Sequence, residues 1–476
     1  MEFIPNPSLL YFVIFYAIIV AAIGYVWSRK IVTTDDFMLA GRSLGPFILM
    51  GTLLATWMGS GTVTGGPNSM AYSIGYWVAV LYATPVLVGI VVLYFLSNRV
   101  RLLSKYTIPQ ILEIKYGPVA RVVAVIIIVL AYLGIVSYQF QGVALVLNAA
   151  TGLDMAAGIW IALILMTFLA MIGGLMSIAP SDALSAFIML IGLLIATPVM
   201  ISIAGGWDNV VASVPAQHFE LTGNIDFITV LGLYFPILFL VMGDQNMWQR
   251  MTAAKEEKAG RGGVIGWFIG VAVAMPLVGT IALCSRALFP EIPPGQALIA
   301  ATTVMPIFVG GVLLAAATAF IFTTGNSFLL SASSNLTYDV YGRIFNKSAT
   351  SKQNLIFTRI AIPVMALIAF VLIQFFPTIL AVQMYSYTVY GAGITPALLG
   401  AVLWKGVTKA GGLSSMVAGT VVTIFWETMG KPFDLEAVII SAPVAIVVLI
   451  VVSLLTPGTR TSIEEDANVK SEELNT

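Results

Sequence analysis

Residues 55–62, Ala-Thr-Trp-Met-Gly-Ser-Gly-Thr, lie midway along an apolar stretch long enough to cross a bilayer and have the composition of a deliberately interrupted helix. In hydrocarbon every backbone N–H and C=O needs a partner, so an interruption survives only where the freed groups face protein, water, an ion or a solute. Gly59 and Gly61 flank Ser60 and lower helix propensity. The break would free the carbonyls of Ala55 and Met58, one turn apart, for a cation. A second half-helix starting near Thr62 would offer unpaired N–H groups and its positive dipole end to an anionic or polar solute. Gly, Ser and Thr equally suit close packing between membrane helices, so this segment alone leaves both readings open.

Positioning such a site requires membrane spans. The chain of 476 residues is 59% hydrophobic and 9% charged, with mean hydropathy +0.98, a balance far too apolar for a soluble core of this size. A span needs about 20 apolar residues to cross roughly 30 Å of hydrocarbon. Thirteen segments qualify: 8–28, 44–74, 76–98, 120–149, 154–174, 179–204, 227–249, 263–285, 303–340, 355–376, 379–404, 411–429 and 436–456. The first has no basic residue before it and is followed by Arg29 and Lys30, so it reads as an uncleaved span with its N-terminus outside. Thirteen crossings then leave the C-terminus inside. Of the 22 Lys and Arg, only Arg286 and Lys431 fall outside, leaving 20 on the cytoplasmic side, as the positive-inside rule requires.

Several functions are excluded by the residue inventory. Net charge is zero and the basic residues are scattered over juxtamembrane loops, so nothing points to nucleic acid. The single cysteine, Cys284, rules out an intramolecular disulfide and reads as a small packing residue. The single histidine, His218, is placed in an outer loop, 205–226, and a polytopic membrane enzyme would need richer His, Asp and Glu clusters. The tail after Pro457, with Glu464, Glu465, Asp466, Glu472 and Glu473, reads as disordered and acidic. No soluble domain or phosphate-binding glycine loop is expected. The fold class is all-α integral membrane: an N-terminal extra span with its inner loop (1–43), two five-helix blocks (44–204 and 227–404), two peripheral spans (405–456) and the tail (457–476). An odd number of crossings inverts the two blocks, an architecture of transporters. Pro236, in the opening helix of the second block, would mark the counterpart of the first break. Asp182 is the one carboxylate expected well inside a core span, where an acid is functional by default.

The chain resembles the sodium:solute symporters, which have the leucine-transporter type of fold within the amino acid-polyamine-cation superfamily. The carriers are Gly41-Arg42-Ser43-Leu44-Gly45, Gly65-Gly66-Pro67 with Ala71-Tyr72 and Gly75-Tyr76-Trp77, Gly173-Gly174 leading to Ser181-Asp182, Gly243-Asp244-Gln245 with Gln249-Arg250, and Ser333-Ser334 to Asp339-Val340-Tyr341. The resemblance implies a multi-pass cell-membrane protein, not an enzyme, that carries a small solute inward with Na+ by alternating access. It places a sodium ion on the carbonyls of Ala55, Met58 and Phe320 and the hydroxyls of Thr323 and Thr324. A second sodium or a proton would fall to Asp182, Asn326 and Ser327, with Asn326 departing from the hydroxyl of two-ion members. The implied solute contacts are Gly59, Thr62, Gln141, Pro236, Gln383, Tyr387 and Tyr390. Proline-type members carry an Asp where this chain has Trp57, and sialate-type members an Arg in the third core helix, where 120–149 holds only Arg121. The Gly-Gly-Pro…Ala-Tyr run resembles pantothenate and small-carboxylate members, so the lean is to a small organic acid. A proton-coupled symporter using Asp182 is the alternative. The sequence sets no oligomeric state.

Overall fold

The computed structural model describes residues 4–103, 106–172, 174–376, 378–457, 463 and 465. Gly173 of the resemblance and all of the expected disordered tail except Pro457, Ile463 and Glu465 lie outside the described residues.

Helix follows helix along the chain, each start and stop set by local chemistry. α1 (Ser8–Ser28) is apolar on every side and ends before Arg29 and Lys30. α2 (Thr34–Leu39) starts with a capping box in which Thr33 and Asp36 bond each other's backbone. α3 (Pro46–Trp57) stops at Met58, and α4 (Ser60–Val63) with α5 (Gly66–Ser73) continues at 62° to it. α6 (Tyr76–Leu81) and α7 (Ala83–Leu103) make one span, and α8 (Ile108–Tyr116) is capped by the Thr107 side chain. α9 (Pro118–Thr151) opens on proline, which needs no N–H partner in a first turn, and closes on Gly152 in the left-handed region. α10 (Met155–Ile172), α11 (Leu175–Ile203) and α12 (Trp207–Ser213) complete the first half.

The second half begins at α13 (Phe227–Gly243), capped by Asp226, whose carboxylate is held below its ordinary pKa by the Thr229 hydroxyl and N–H. α14 (Gln245–Thr252), α15 (Glu257–Leu288), α16 (Ala297–Val304) and α17 (Ile307–Ser334) follow, α17 running on as a π-helical stretch to Phe345. α18 (Ser351–Leu372), α19 (Ile379–Gly393), α20 (Thr395–Leu403), α21 (Lys409–Thr428) and α22 (Val438–Leu455) close the chain.

Among the described residues ten helices are long and apolar enough to cross a membrane, or eleven counting the bent pair formed by α3 with α4 and α5. The thirteen expected spans include two more: α10, whose apolar run Met155–Met171 is short, and α21, diluted by Gly411, Gly412, Ser414, Ser415 and Gly419. Burial sorts the bundle. Only 17% of the α1 span is buried, against 72% of α17 and 89% of the α19 and α20 span, so α1 is peripheral and α17 and α19 are central. α3 packs against α11 and α15, and α9 against α17 and α19, which brings the break in α3 to the heart of the molecule. An apolar cavity of about 650 Å³ is lined by residues of α1, α9, α10, α11 and α17.

An ion-pair cluster ties α8, α9 and the π-helical end of α17. Arg121 pairs with Glu113 at 2.5 Å and Asp339 at 2.6 Å, and Arg343 reaches Glu113 at 2.8 Å. Burial pushes the Glu113 carboxyl up, but the hydrogen bonds and charges of Arg121 and Arg343 outweigh it and hold it below its ordinary pKa. Cys284 is buried as expected. His218 is buried too, its Nε2 3.4 Å from the Tyr72 carbonyl, and burial lowers its pKa.

Candidate functional site

The α3 ladder runs to Met58, whose N–H still donates to the Leu54 carbonyl at 3.0 Å, and Met58 then leaves helical geometry at φ −92° and ψ 55°. Gly59 follows in extended conformation, and α4 restarts at Ser60. Across this gap stands α17. The Thr324 hydroxyl donates to the Ala55 carbonyl at 3.2 Å and to the Thr56 carbonyl at 3.2 Å. The Thr323 hydroxyl reaches the Phe320 carbonyl at 3.1 Å and Ala55 at 3.4 Å. Four of the five oxygens assigned to sodium thus converge: Ala55 O, Phe320 O and the two threonine hydroxyls. Met58 is at the break, where its carbonyl has left the helix ladder. Gly59 is sterically required, because a Cβ there would stand 2.5 Å from Thr324 Oγ1 and 2.6 Å from its Cβ. Hydroxyls and carbonyls without a carboxylate suit a weakly held monovalent ion.

The half-helix does not start where expected. It begins at Ser60 instead of Thr62, and its first donors are taken: Ser60 N–H donates to Gln139 Oε1 at 2.8 Å and Thr62 N–H to the Gly59 carbonyl at 3.0 Å. Gln139 is the residue the sequence reading missed. It named Gln141, two positions along α9 and therefore on nearly the opposite face. The available signal was Gly142, one turn beyond Gln139, which abuts the Ser60 side chain and so marks the face of α9 nearest the break.

Other assigned solute residues divide. A Cβ on Gly61 would lie 3.0 Å from Gln383 Nε2 and 3.0 Å from the Tyr387 hydroxyl, so both flank the break. Gln383 Oε1 accepts from Gly66 N–H at 3.1 Å, and Tyr387 pairs with Tyr138 at 3.3 Å between hydroxyls. Thr62 is buried in α4. Tyr390 belongs elsewhere: its hydroxyl donates to the Gly243 carbonyl at 2.8 Å and accepts from Gln245 N–H at 3.1 Å. Pro236 does not interrupt its helix, because α13 runs unbroken through it and stops two turns later, at Gly243. The interruption in the second half is at Asp244, with φ −60° and ψ 120°, the cap of both α13 and α14.

Asp182 is fully buried but not the lone intramembrane acid, since Asp244 and Asp339 are equally buried. Asp182 Oδ2 accepts from the Thr52 hydroxyl at 2.6 Å and lies 3.5 Å from Arg250 Nη2, which also donates to Ser327 Oγ at 2.9 Å. Asp182 and Ser327 therefore meet through Arg250. Asn326 does not join them; it lines the cavity behind α1, with its buried Oδ1 unpartnered. No tertiary neighbour of a residue can be read from its own short motif, which is why Arg250 was seen only as a motif at a helix end.

Carbonyl and hydroxyl oxygens thus gather at a broken helix, and comparison with known proteins gives the family. The profile of the sodium:solute symporter family matches residues 37–419. The chain belongs to the sodium:solute symporter family. Two Staphylococcus aureus proteins named sodium/proline symporter are 27% identical over 485 residues and, for strain JH9, 28% over 486, each alignment covering 95% of this chain and 94% of the relative. A solved Na+-coupled sialic acid symporter in a substrate-bound outward-open state superposes with TM-score 0.81 at 16% identity, covering 95% of this chain and 98% of its own. A nucleobase-cation-symport-1 transporter in a closed, ligand-bound conformation gives 0.60 at 14% identity over 92% of this chain and 99% of its own. These two share the fold. The chain is a sodium-coupled solute symporter and not an enzyme.

Proposed function

We propose that this symporter carries a small organic acid without an ammonium group, such as pantothenate or a monocarboxylate, into the cell, one sodium ion being held by Ala55, Met58, Phe320, Thr323 and Thr324. The observation that carries the reading is the convergence of the Thr323 and Thr324 hydroxyls on the Ala55 carbonyl across the break. An ion there ties α3 to α17 and favours the solute-ready state, and both leave when the opposite face opens. Coupling is the differential affinity of the two states. One inward sodium contributes about 2.3 kcal/mol per 100 mV of membrane potential.

The solute would rest between Gly59, Thr62, Gln383 and Tyr387, with Gln139 Nε2, buried and unpartnered, as a neutral donor. Trp57, Met58 and the neighbouring amides and phenols bring no acid to an ammonium group, while the side-chain amides and phenols can donate to carboxylate oxygens. A second reading, proline itself, is favoured by the names of the relatives. Thirteen crossings, two inverted blocks at 44–204 and 227–404, an outside N-terminus and a cytoplasmic C-terminus belong to the same proposal. Interruptions directly after α3 and directly after α13 support the blocks, and the confinement of 20 of the 22 basic residues, all but Arg286 and Lys431, supports the orientation.

The deciding experiment is uptake into proteoliposomes under an inward sodium gradient, with radiolabelled pantothenate, lactate and L-proline in parallel and potassium replacing sodium as control. Sodium-driven uptake of either organic acid supports the reading. Uptake confined to proline replaces it with the second, and uptake of any of the three that ignores sodium overturns the cage.

A further inference from the structure

The half of the bundle around α14 buries two carboxylates, Asp182 and Asp244, and one guanidinium, Arg250. Unpaired charge at such depth is strongly unfavourable. Arg250 is committed to Asp182: its Nη2 lies 3.5 Å from Oδ2 and 2.9 Å from Ser327 Oγ, its Nε donates to Thr52 Oγ1 at 2.9 Å and its Nη1 to the Asn246 carbonyl at 3.3 Å. Asp244 receives only neutral donors, both on one oxygen: the Tyr132 hydroxyl at 2.9 Å and Asn246 N–H at 2.7 Å, each to Oδ1. Its Oδ2 is buried with no partner, and among the described residues no basic side chain forms an ion pair with it.

We propose that Asp244 holds an exchangeable proton on Oδ2, making the second helix break a proton-binding site separate from the sodium cage. Arg250 acts on Asp244 through space without pairing with it, and a proton removes a charge that no ion pair neutralises, leaving a neutral carboxyl. The neighbouring phenols cannot supply the missing charge. Tyr132 spends its proton on Asp244 Oδ1 while accepting from Gln245 N–H at 3.1 Å, and Tyr390 spends its own on the Gly243 carbonyl. Tyr138 of α9 and Tyr387 of α19 stand farther off and bond each other. From the remaining packed helices, Asp35 pairs with Arg42, Asp36 accepts from the Val32 and Thr33 amides, and Arg99 donates to the Val402 carbonyl. Arg101, near the end of α7, forms no ion pair with Asp244.

The location gives the proton leverage. Asp244 caps both α13 and α14, so its charge acts at the hinge between them. Loss of the proton offers Arg250 a competing carboxylate, and Arg250 is the tie to Thr52 of α3 and Ser327 of α17, the two helices that carry the sodium cage.

Infrared spectroscopy of the purified protein tests this without a solute, through the C=O stretch of a protonated carboxyl at neutral pH. The wild type should show a buried carboxylic-acid band that Asp244→Asn removes. Tyr132→Phe, which strips the donor from Oδ1, should move the band to higher frequency, while Thr52→Val, which strips the donor from Asp182, should leave it unmoved. Absence of the band in the wild type overturns the proposal, as does its persistence in folded Asp244→Asn. If Asp244→Asn does not fold, the Tyr132 and Thr52 variants decide: a band moved by Thr52→Val and not by Tyr132→Phe overturns it. An ion in the cage should raise the melting temperature in sodium over potassium, and that rise should persist in Asp244→Asn, so failure here and failure of the sodium cage are read separately.

Discussion

The two helix breaks use one backbone device with opposite chemistry. At Met58–Gly59 the freed groups face hydroxyls of α17 and an amide of α9, all neutral. At Gly243–Asp244 the chain saturates itself: Tyr390 takes the Gly243 carbonyl, Tyr132 and Tyr390 both accept from Gln245 N–H, and Trp248 Nε1 donates to the Met242 carbonyl at 2.9 Å. A break that is to exchange a ligand must leave oxygens whose only partners are weak and adjustable. A break that serves as a hinge can give its backbone groups fixed partners, because no metal ion or solute has to enter and only the proton proposed for Asp244 is exchanged. The difference lies in the side chains brought up by other helices and not in the break itself.

Both glycines are hemmed in, which lets the contrast be tested symmetrically. Gly59→Ala would drive a methyl into Thr324, and Gly243→Ala would drive one into the Thr395 hydroxyl. Gly59→Ala and Thr324→Ala should abolish the sodium-specific rise in melting temperature, measured against potassium at equal ionic strength, and weaken sodium activation at least tenfold. Gly243→Ala should instead lower the melting temperature in both salts and leave the sodium increment standing. If both glycine variants lose the increment, the breaks are not functionally distinct.

Arg250→Gln comes next in size. Removing one partner of a buried ion pair typically costs about 3–5 kcal/mol, because Asp182 keeps its charge without compensation. Denaturation in detergent should show a loss in that range, and a neutral result would mean that Asp182 is not charged. Tyr132→Phe deletes a donor to Asp244 and an acceptor for Gln245, with an expected loss of about 1–3 kcal/mol. Gln139→Leu, its counterpart at the first break, should affect solute affinity more than stability, and the ratio of the two effects measures how exchangeable each break is.

The smallest effect concerns pH. Glu113 titrates below its ordinary value in the folded protein, so its contribution to stability is complete above the unfolded pKa and is lost as pH falls through the lower, folded one. Melting temperature should therefore decline on acidification in the wild type and decline less in Glu113→Gln. An identical pH profile would show that the Arg121 and Arg343 contacts carry no net weight.

Much of the first break was legible because its causes are local. Gly-Ser-Gly within an apolar run lowers helix propensity, whereas Thr323 and Thr324 were reached only through the family resemblance, counted back from the Ser333-Ser334 helix end. The second break was misplaced at Pro236 because proline is the louder local signal. Yet a proline kink needs no gap in a helix whose freed carbonyl finds another partner, whereas Asp244 ends α13 only because Tyr132 and Tyr390 wait to receive it. Gln139 and Gln141 show the same limit. Both are amides on one helix, and only the rotation of α9 against α4 chooses between them.

What the sequence determined by itself was whatever depends on counting and periodicity along the chain, an all-helical membrane bundle with an interrupted helix, while its short motifs carried the family resemblance from which the expected sodium site was taken. What only the tertiary structure decided was pairing. Asp182 with Arg250, Gln139 with Ser60 and Tyr390 with Gly243 each join residues dozens to hundreds of positions apart. The reason is physical. Hydropathy and helix propensity act over a turn or a span and leave a local trace, but a hydrogen bond is decided within about 3 Å by the rotation and depth of two separate helices. That rotation is set by the packing of the whole bundle.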